Sequence, residues 1–405
     1  MADESRAGQQ PEPYSAPVGT GFRLGDRADA VLEIRERLHQ VGLLPEDRVD
    51  DPSYDGEVEH AVRAFQQQRG LTAHGVVDPA TYRGLDEARW GLGDRVLVHR
   101  PGNLVAGDDV VALQRRLLDL GFSVGRVDGR FGPVTEGAVK EFQRNIGIPP
   151  DGTCGPATLK ALRRLAPMVR GGRPNALRAE ERIRLAGPQL TGKTVVVDAA
   201  TVPTSDPALR RQAEQVTTDL ARRVEGRLVA TGVQAYLSAP GAGGPAEEAE
   251  RAAFANRTGA HLCVSLQVDA AENSGASGVA SYYWGLDSHG VHSSVGERFA
   301  GLVQREIVAR TDLADLRTHP RSWDLLRLTR MPAVRVDVGY LTNPGDAARL
   351  ADPAFRDVVA EAVVVAVQRL YLTPDADSPT GLLRIDEIKA RQEGAPRGAG
   401  SREVG

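Results

Sequence analysis

The chain has 405 residues, 26% charged and 41% hydrophobic, the profile of a soluble globular protein of two to three domains. Its net charge of −4 argues against nucleic acid or an anionic membrane surface as the main partner. The two cysteines, Cys154 and Cys263, stand far apart in apolar or small-residue surroundings; this excludes a zinc ribbon or a disulfide framework and leaves two reduced structural thiols.

Residues 1–20 read as a disordered N-terminal segment. They have neither a basic n-region nor an apolar h-region, so no signal peptide is read there. No stretch approaches the roughly 18 consecutive apolar residues of a membrane span. The expected location is cytoplasmic.

An internal repeat follows. Ala61–Leu71 (AVRAFQQQRGL) matches Ala138–Ile148 (AVKEFQRNIGI). Upstream, Ile34-Arg-Glu-Arg-Leu38 matches Leu113-Gln-Arg-Arg-Leu117, and Gly42 matches Gly121. Downstream, Gly75 and Asp78-Pro-Ala-Thr81 match Gly152 and Gly155-Pro-Ala-Thr158. Apolar residues at helical spacing, such as Ile34, Leu38 and Val41, predict three short amphipathic helices in each unit. Proline at or near the first helical position suits the DPAT and GPAT starts. Residues 22–90 and 103–167 therefore read as two three-helix bundles, each near the lower size limit for an independent core.

Residues 168–193 read as a charged linker with one short helix. Within it, Gly187 to Thr194 fits the spacing G-x-x-x-x-G-K-[ST]. A phosphate loop follows a strand and opens a helix, whereas this string opens a strand, and Pro188 removes a backbone donor; nucleotide binding is rejected.

Residues 194–372 alternate strands and helices. Expected strands are Val195–Ala199, Gln234–Leu237, His261–Leu266, Gly278–Trp284 and Ala333–Val338. Expected helices are Ala208–Thr231, Pro245–Thr258, Ser294–Arg310 and Phe355–Leu370. Near-continuous apolar runs at Val195 and Ala333 predict strands buried on both faces. The alternation predicts an α/β domain with a largely parallel sheet flanked by helices. Residues 373–405 are polar and rich in Gly, Pro and Arg, and read as a flexible tail.

The two helical units resemble the peptidoglycan-binding-domain-1 family. The likeness rests on the Gly42 and Gly121 turns, the pairs Phe65-Gln66 and Phe142-Gln143, and the run Asp128-Gly-Arg-Phe-Gly132. The first unit departs at that run, with Tyr54-Asp55-Gly56, and is slightly longer. The resemblance implies binding of cell-wall glycan or peptide. A helical spacer or protein-docking role, with Phe65 and Phe142 simply in the core, stays open.

The α/β region is similar to the zinc-dependent N-acetylmuramoyl-L-alanine amidases of the amidase-3 type. Val195-Val-Val-Asp-Ala-Ala-Thr201 stands where that family ends its first strand in D-A-G-H-G. Arg251-Ala-Ala-Phe-Ala-Asn256 matches R-x-x-x-A-N, and Ala260 to Gln267 (AHLCVSLQ) matches A-D-x-x-I-S-I-H. Pro332 to Asn343 (PAVRVDVGYLTN) matches P-A-x-L-V-E-x-G-F-L-S-N. The resemblance implies zinc held by two His and one Glu in active members, with a further Glu as general base.

Here the two His positions hold Thr201 and Gln267, and the general-base position holds Asp337. Ala213 falls on the Glu-ligand position. Glu214 is next to it, but a one-residue shift turns a helical side chain by about 100°. Neutral oxygens and amides do not replace imidazole for Zn²⁺. No catalytic residue, metal site or cofactor is therefore expected, and Glu214 and His319 are the nearest candidate ligands. His261 reads as a capping residue, and His289 and His292 lie in a Ser/Gly loop. Asp198 ends the first strand, where α/β proteins place ligands, so Asp198, Gln267 and Asp337 either line a former cleft or form a hydrogen-bonded polar relic that keeps loops in place; the relic is the preferred reading.

Two wall-binding-like units, an amidase-like domain without metal ligands and a Thr-containing tail together resemble the actinobacterial CwlM-type family. The run from Arg317 to Pro344 carries most of that likeness. The resemblance implies a cytoplasmic, non-catalytic regulator of peptidoglycan precursor synthesis, a pseudoenzyme that activates UDP-N-acetylglucosamine 1-carboxyvinyltransferase. It further implies phosphorylation of the tail by a membrane Ser/Thr protein kinase, and contacts with a forkhead-associated-domain protein and the lipid-II flippase. Thr380 is the first candidate acceptor, with Thr373 and Ser378 as alternatives. An amidase with an atypical metal site and a sensor of peptidoglycan fragments remain the competing readings.

Overall fold

The computed structural model describes residues 21–102, 104–165, 174–200, 204–238, 248–270, 273–286 and 290–372, with the backbone alone for 174–178. The expected terminal segments, with Thr373, Ser378 and Thr380, lie outside the described residues, as do Thr201 and His289.

Repeat 1 consists of α1 (Asp29–Gln40), α2 (Gly56–Gln68) and α3 (Pro79–Ala88); repeat 2 consists of α4 (Asp108–Asp119), α5 (Pro133–Asn145) and α6 (Pro156–Arg164). Ile34, Leu38, Val58, Val62, Phe65 and Leu85 fill the first core, and Leu113, Leu117, Val139, Phe142 and Leu162 the second.

The Phe-Gln pairs have a physical cause. Phe enters the core, and the next residue turns back on the chain. Gln66 Nε2 donates to the Val76 carbonyl and the Thr81 hydroxyl, both at 2.9 Å, and its Oε1 accepts from Gly75 N–H at 2.9 Å. Gln143 makes the same three bonds to Thr153, Thr158 and Gly152, at 3.0, 3.1 and 2.8 Å. Each buried amide brackets one helix to the start of the next and satisfies backbone groups that no helix serves. Gly75 and Gly152 sit at φ 76° and 79°, which glycine adopts without strain.

Helix α7 (Pro174–Leu185) lies in the linker. The lysine of the phosphate-loop-like string has a local task. Lys193 Nζ donates to the carbonyls of Ala186 at 2.8 Å, Gly187 at 3.0 Å and Gln189, all just past α7. It also lies 4.4 Å from the Tyr371 ring centroid. Burial lowers its pKa.

The α/β domain runs β1 (Thr194–Ala199), α8 (Pro207–Ala230), β2 (Gln234–Ser238), α9 (Glu248–Arg257), β3 (Leu262–Asp269), β4 (Val279–Leu286), β5 (Val291–His292), α10 (Ser294–Arg310), β6 (Asp315–Arg321), α11 (Asp324–Leu328), β7 (Ala333–Tyr340), α12 (Pro344–Ala351) and α13 (Pro353–Leu370). The sheet order is β2-β1-β3-β7-β4-β5, with β6 beside β4. The first four strands are parallel, β4 runs antiparallel to β7, and β6 is parallel to β4. The sheet is thus mostly parallel and flanked by helices.

Strand β6 departs from expectation. No strand is expected over the polar run with Pro320. Proline is tolerated there because, among the described residues, β6 pairs with β4 alone.

Alternation along the strands divides the sheet faces. Val195, Val197, Val264, Leu266, Val334 and Val336 join a core with residues of α8, α10 and α13. The opposite face meets α9, α11 and repeat 2. There Val196, Cys263, Trp284, Leu286, Leu326 and Ala333 share one core with Leu117, Val127, Phe131 and Phe142. Repeat 2 therefore completes a layer of the α/β domain. Arg126 pins the joint: its guanidinium donates to the carbonyls of Thr329 and Leu326, the latter at 2.9 Å, and lies 4.4 Å from the Trp284 ring centroid. Burial pushes its pKa down to about 10. Cys154 and Cys263 are buried free thiols, and burial pushes Cys154 up to about 12.

Candidate functional site

On the repeat-facing side of the sheet, polar residues form a row. The strand registers align Ser238, Asp198, Ser265, Arg335, Tyr282 and His319 in turn from β2 to β6. One step along, Gln267 and Asp337 are register partners on β3 and β7.

Asp198 is a structural anchor. Its carboxylate accepts from the Ser238 hydroxyl, from Arg251 Nη1 and from the Ser265 hydroxyl, the last at 2.6 Å. Neither Asp198 nor Asp337 lines the cleft described below, which of the three only Gln267 reaches, and the three donors hold Asp198 as a hydrogen-bonded polar group.

Gln267 and Asp337 are brought together but differ in their partners. Gln267 is 2% exposed, and among the described residues its Nε2 has no hydrogen-bond partner. Asp337 is 3% exposed and accepts from Arg335 Nε at 2.9 Å. Burial raises the Asp337 pKa above the ordinary aspartate value, and the Arg335 guanidinium works against that rise. Burial also opposes the charge on Arg335, but the Asp337 and Glu248 carboxylates outweigh it and raise its pKa. Arg335 Nη1 lies 3.6 Å from Glu248, and the guanidinium sits 4.2 Å from the Trp323 ring centroid.

Arg335 is the residue that sequence reasoning passed over. The signal was present: it occupies the Leu position of the P-A-x-L-V-E pattern. Its guanidinium binds Asp337, the carboxylate at the general-base position that the amidase resemblance implies.

The remaining candidates disperse. Ala213 lies in the core between α8 and the far face of the sheet, and Glu214 is half-buried beside it. His319 Nε2 donates to the Leu316 carbonyl at 2.7 Å, and its ring lies 5.9 Å from Tyr282. His261 Nδ1 accepts from Thr194 N–H at 3.0 Å, and His292 lies 3.0 Å from Glu297. Among the described residues, no three His, Cys, Asp or Glu side chains converge on a point that could hold a metal ion. The described donors do not fit zinc: Gln267 offers an amide, Asp337 is bonded to a guanidinium, and that fixed cation would repel a second one.

A cleft of about 470 Å³ opens above Gln267, Arg251 and Arg335. Its other walls come from Trp323 and Arg327, from Arg69 and Glu87 of repeat 1, and from Asp128 of repeat 2. Arg327 Nη1 binds both Glu87 oxygens at 3.0 and 3.1 Å, and its Nε donates to the Asp128 carbonyl at 3.0 Å. All three folded units therefore meet over the end of the sheet where the amidase stations lie.

The architecture defines a class, an amidase-type α/β domain behind two bracketed wall-binding-type repeats. Residues 195–369 match the family model for N-acetylmuramoyl-L-alanine amidase, and residues 27–85 and 106–162 match that for a peptidoglycan binding domain. The chain is 45% identical over 388 residues to the N-acetylmuramoyl-L-alanine amidase CwlM of Mycobacterium tuberculosis, covering 92% of this chain and 95% of that one. This chain belongs to the CwlM family. It is also 28% identical over 170 residues to the amidase CwlL of Bacillus licheniformis, covering 37% of this chain and 47% of that one. Among solved structures, the amidase of Clostridium difficile 630 aligns with TM-score 0.39 and 23% identity, covering 43% of this chain and 94% of that one. Among the described residues, no helix is long and apolar enough to cross a membrane.

Proposed function

We propose that this chain is a cytoplasmic, non-catalytic regulator of peptidoglycan precursor synthesis. The observation that supports this reading is the state of Asp337. A general base needs a free carboxylate beside a metal-bound water. Here the carboxylate is held by Arg335, and its register partner Gln267 has no lone pair on nitrogen to give a metal. In this reading the partner is UDP-N-acetylglucosamine 1-carboxyvinyltransferase. A Ser/Thr protein kinase modifies Thr380 or Thr373, and a forkhead-associated-domain protein and the lipid-II flippase are further partners. A phosphate would add nearly two charges and three acceptors to the tail, enough to create a docking signal for arginines.

The test has two arms. Purified protein should contain no stoichiometric zinc and release no peptide from wall sacculi. A pull-down should recover the carboxyvinyltransferase with phosphorylated wild type and lose it with Thr380→Ala. Zinc at one per chain together with muramoyl-alanine cleavage would establish the second reading, an amidase with an atypical site, which the family membership favours. A third reading, binding of peptidoglycan fragments, draws on the unpartnered Gln267 Nε2 and Arg251 Nε at the cleft. Calorimetry with soluble muropeptides should give heat only if that reading holds.

A further inference from the structure

The two repeats share a backbone but not their surroundings. The turn after α2 is sealed against the α/β domain. Ser322 N–H donates to the Gly70 carbonyl at 3.2 Å, and the Ser322 hydroxyl donates to the Arg69 carbonyl. Arg83 pairs with Asp324 at 2.7 Å, and Glu87 pairs with Arg327 at 3.0 Å. A Cβ on Gly70 would meet Arg321 Cα and Ser322 N, both at 3.3 Å. Repeat 1 thus grips a helix start by two backbone carbonyls, one cation and one anion.

The corresponding residues of repeat 2 lie 77 positions on: Ile146, Gly147, Lys160 and Arg164. Gly70 and Gly147 have the same backbone, φ 64° and 75°. Among the described residues, a Cβ on Gly147 would meet nothing within 4 Å. Lys160 and Arg164 are exposed, and among the described residues neither is in an ion pair. The Ile146 and Gly147 carbonyls accept no turn or loop backbone bond there.

We infer that this face of repeat 2 is a docking site for a helix start on a partner protein. The segment resembles Ser322–Arg327 but carries an acid where this chain has Arg327. A hydroxyl residue gives its N–H and O–H to the Gly147 and Ile146 carbonyls. A carboxylate two residues later pairs with Lys160, and a second, three residues beyond, pairs with Arg164. A second copy of this chain is disfavoured, because its Arg327 would face Arg164. The inference does not rest on the catalytic state of the α/β domain.

A fluorescent peptide of residues 321–329 carrying Arg327→Glu tests this against the full chain by anisotropy. Saturable binding below about 1 mM is expected, with the native-sequence peptide weaker by about tenfold. Lys160→Glu with Arg164→Glu in the protein should cost about tenfold more, as two exposed ion pairs at a factor of a few each become repulsive. Circular dichroism verifies that this doubly exposed variant folds. Absence of binding at 1 mM overturns the inference. So does equal binding of both peptides, or binding that the charge reversal leaves unchanged.

Discussion

Repeat 1 and repeat 2 carry the same glutamine bracket and are mounted by different faces. Repeat 2 merges its core with the sheet face through Val127, Phe131 and Trp284 and is pinned by Arg126. Repeat 1 keeps a separate core and reaches the α/β domain through carbonyls and ion pairs around Gly70, Arg83 and Glu87. Duplication therefore preserved what folds each unit and left each unit's outer surface free to diverge. The departure between the helices shows the same rule. Gln114 brackets Gly129, Arg130 and Thr135 in repeat 2, whereas Arg35 does the corresponding work in repeat 1, donating to the Ser53 carbonyl at 2.9 Å and to Asp55 at 2.7 Å. A longer side chain spans a longer connection.

The sharpest way to break this comparison is to remove the brackets. Gln66→Ala and Gln143→Ala should each cost about 2–4 kcal/mol, because several buried backbone and hydroxyl groups lose their partner. Hydrogen exchange of the affected repeat reads the cost, and a large inequality between the two would show that the bracket is not shared. Arg126→Ala comes next, at about 2–3 kcal/mol, since two carbonyls and the Trp284 face are left without their cation. It should loosen repeat 2 and the α/β domain together, as seen by exchange in α4 and β4. Glu87→Gln should cost about 1 kcal/mol and act on repeat 1 alone. Limited proteolysis between residues 88 and 108 should then accelerate while repeat 2 stays protected.

Acid gives the smallest effect. Asp55 and Asp78 cap α2 and α3, where repeat 2 has Gly132 and Gly155. Burial pushes both carboxyls up, but hydrogen bonds outweigh it and hold both below the ordinary aspartate value. Val58 N–H and Arg35 supply them at Asp55, and His74 and Thr81 at Asp78. With folded values below unfolded ones, the contribution is present above the ordinary aspartate pKa and is lost as pH falls through the depressed values. As pH falls below the ordinary aspartate value, the starts of α2 and α3 should lose protection while those of α5 and α6 keep theirs. Asp55→Gly with Asp78→Gly should remove that difference in an exchange experiment.

Much of the fold was legible because it depends on local pattern. The repeat, the apolar strands and the helix starts with proline all follow from spacing along the chain. Strand β6 was not legible, since Pro320 and its polar neighbours pass as strand only beside β4. At the site, the residue types at Gln267 and Asp337 could be read by position. The task of Arg335 could not, although its departure from the Leu pattern was visible. A charged residue on a central strand has meaning only once its neighbours across the sheet are known.

The sequence by itself determined two helical repeats with matching Phe-Gln pairs, a mostly parallel α/β domain and the side chains present at the amidase stations. These follow from periodicity, turn chemistry and residue identity, which act over a few positions. Tertiary structure alone decided that Arg335 holds Asp337, that Asp198 is enclosed by three donors, and that repeat 1 closes over the cleft while, among the described residues, nothing packs against the matching Gly147 of repeat 2. Those outcomes depend on contacts between residues far apart in the chain, where burial turns a charge into either an anchor or a cost.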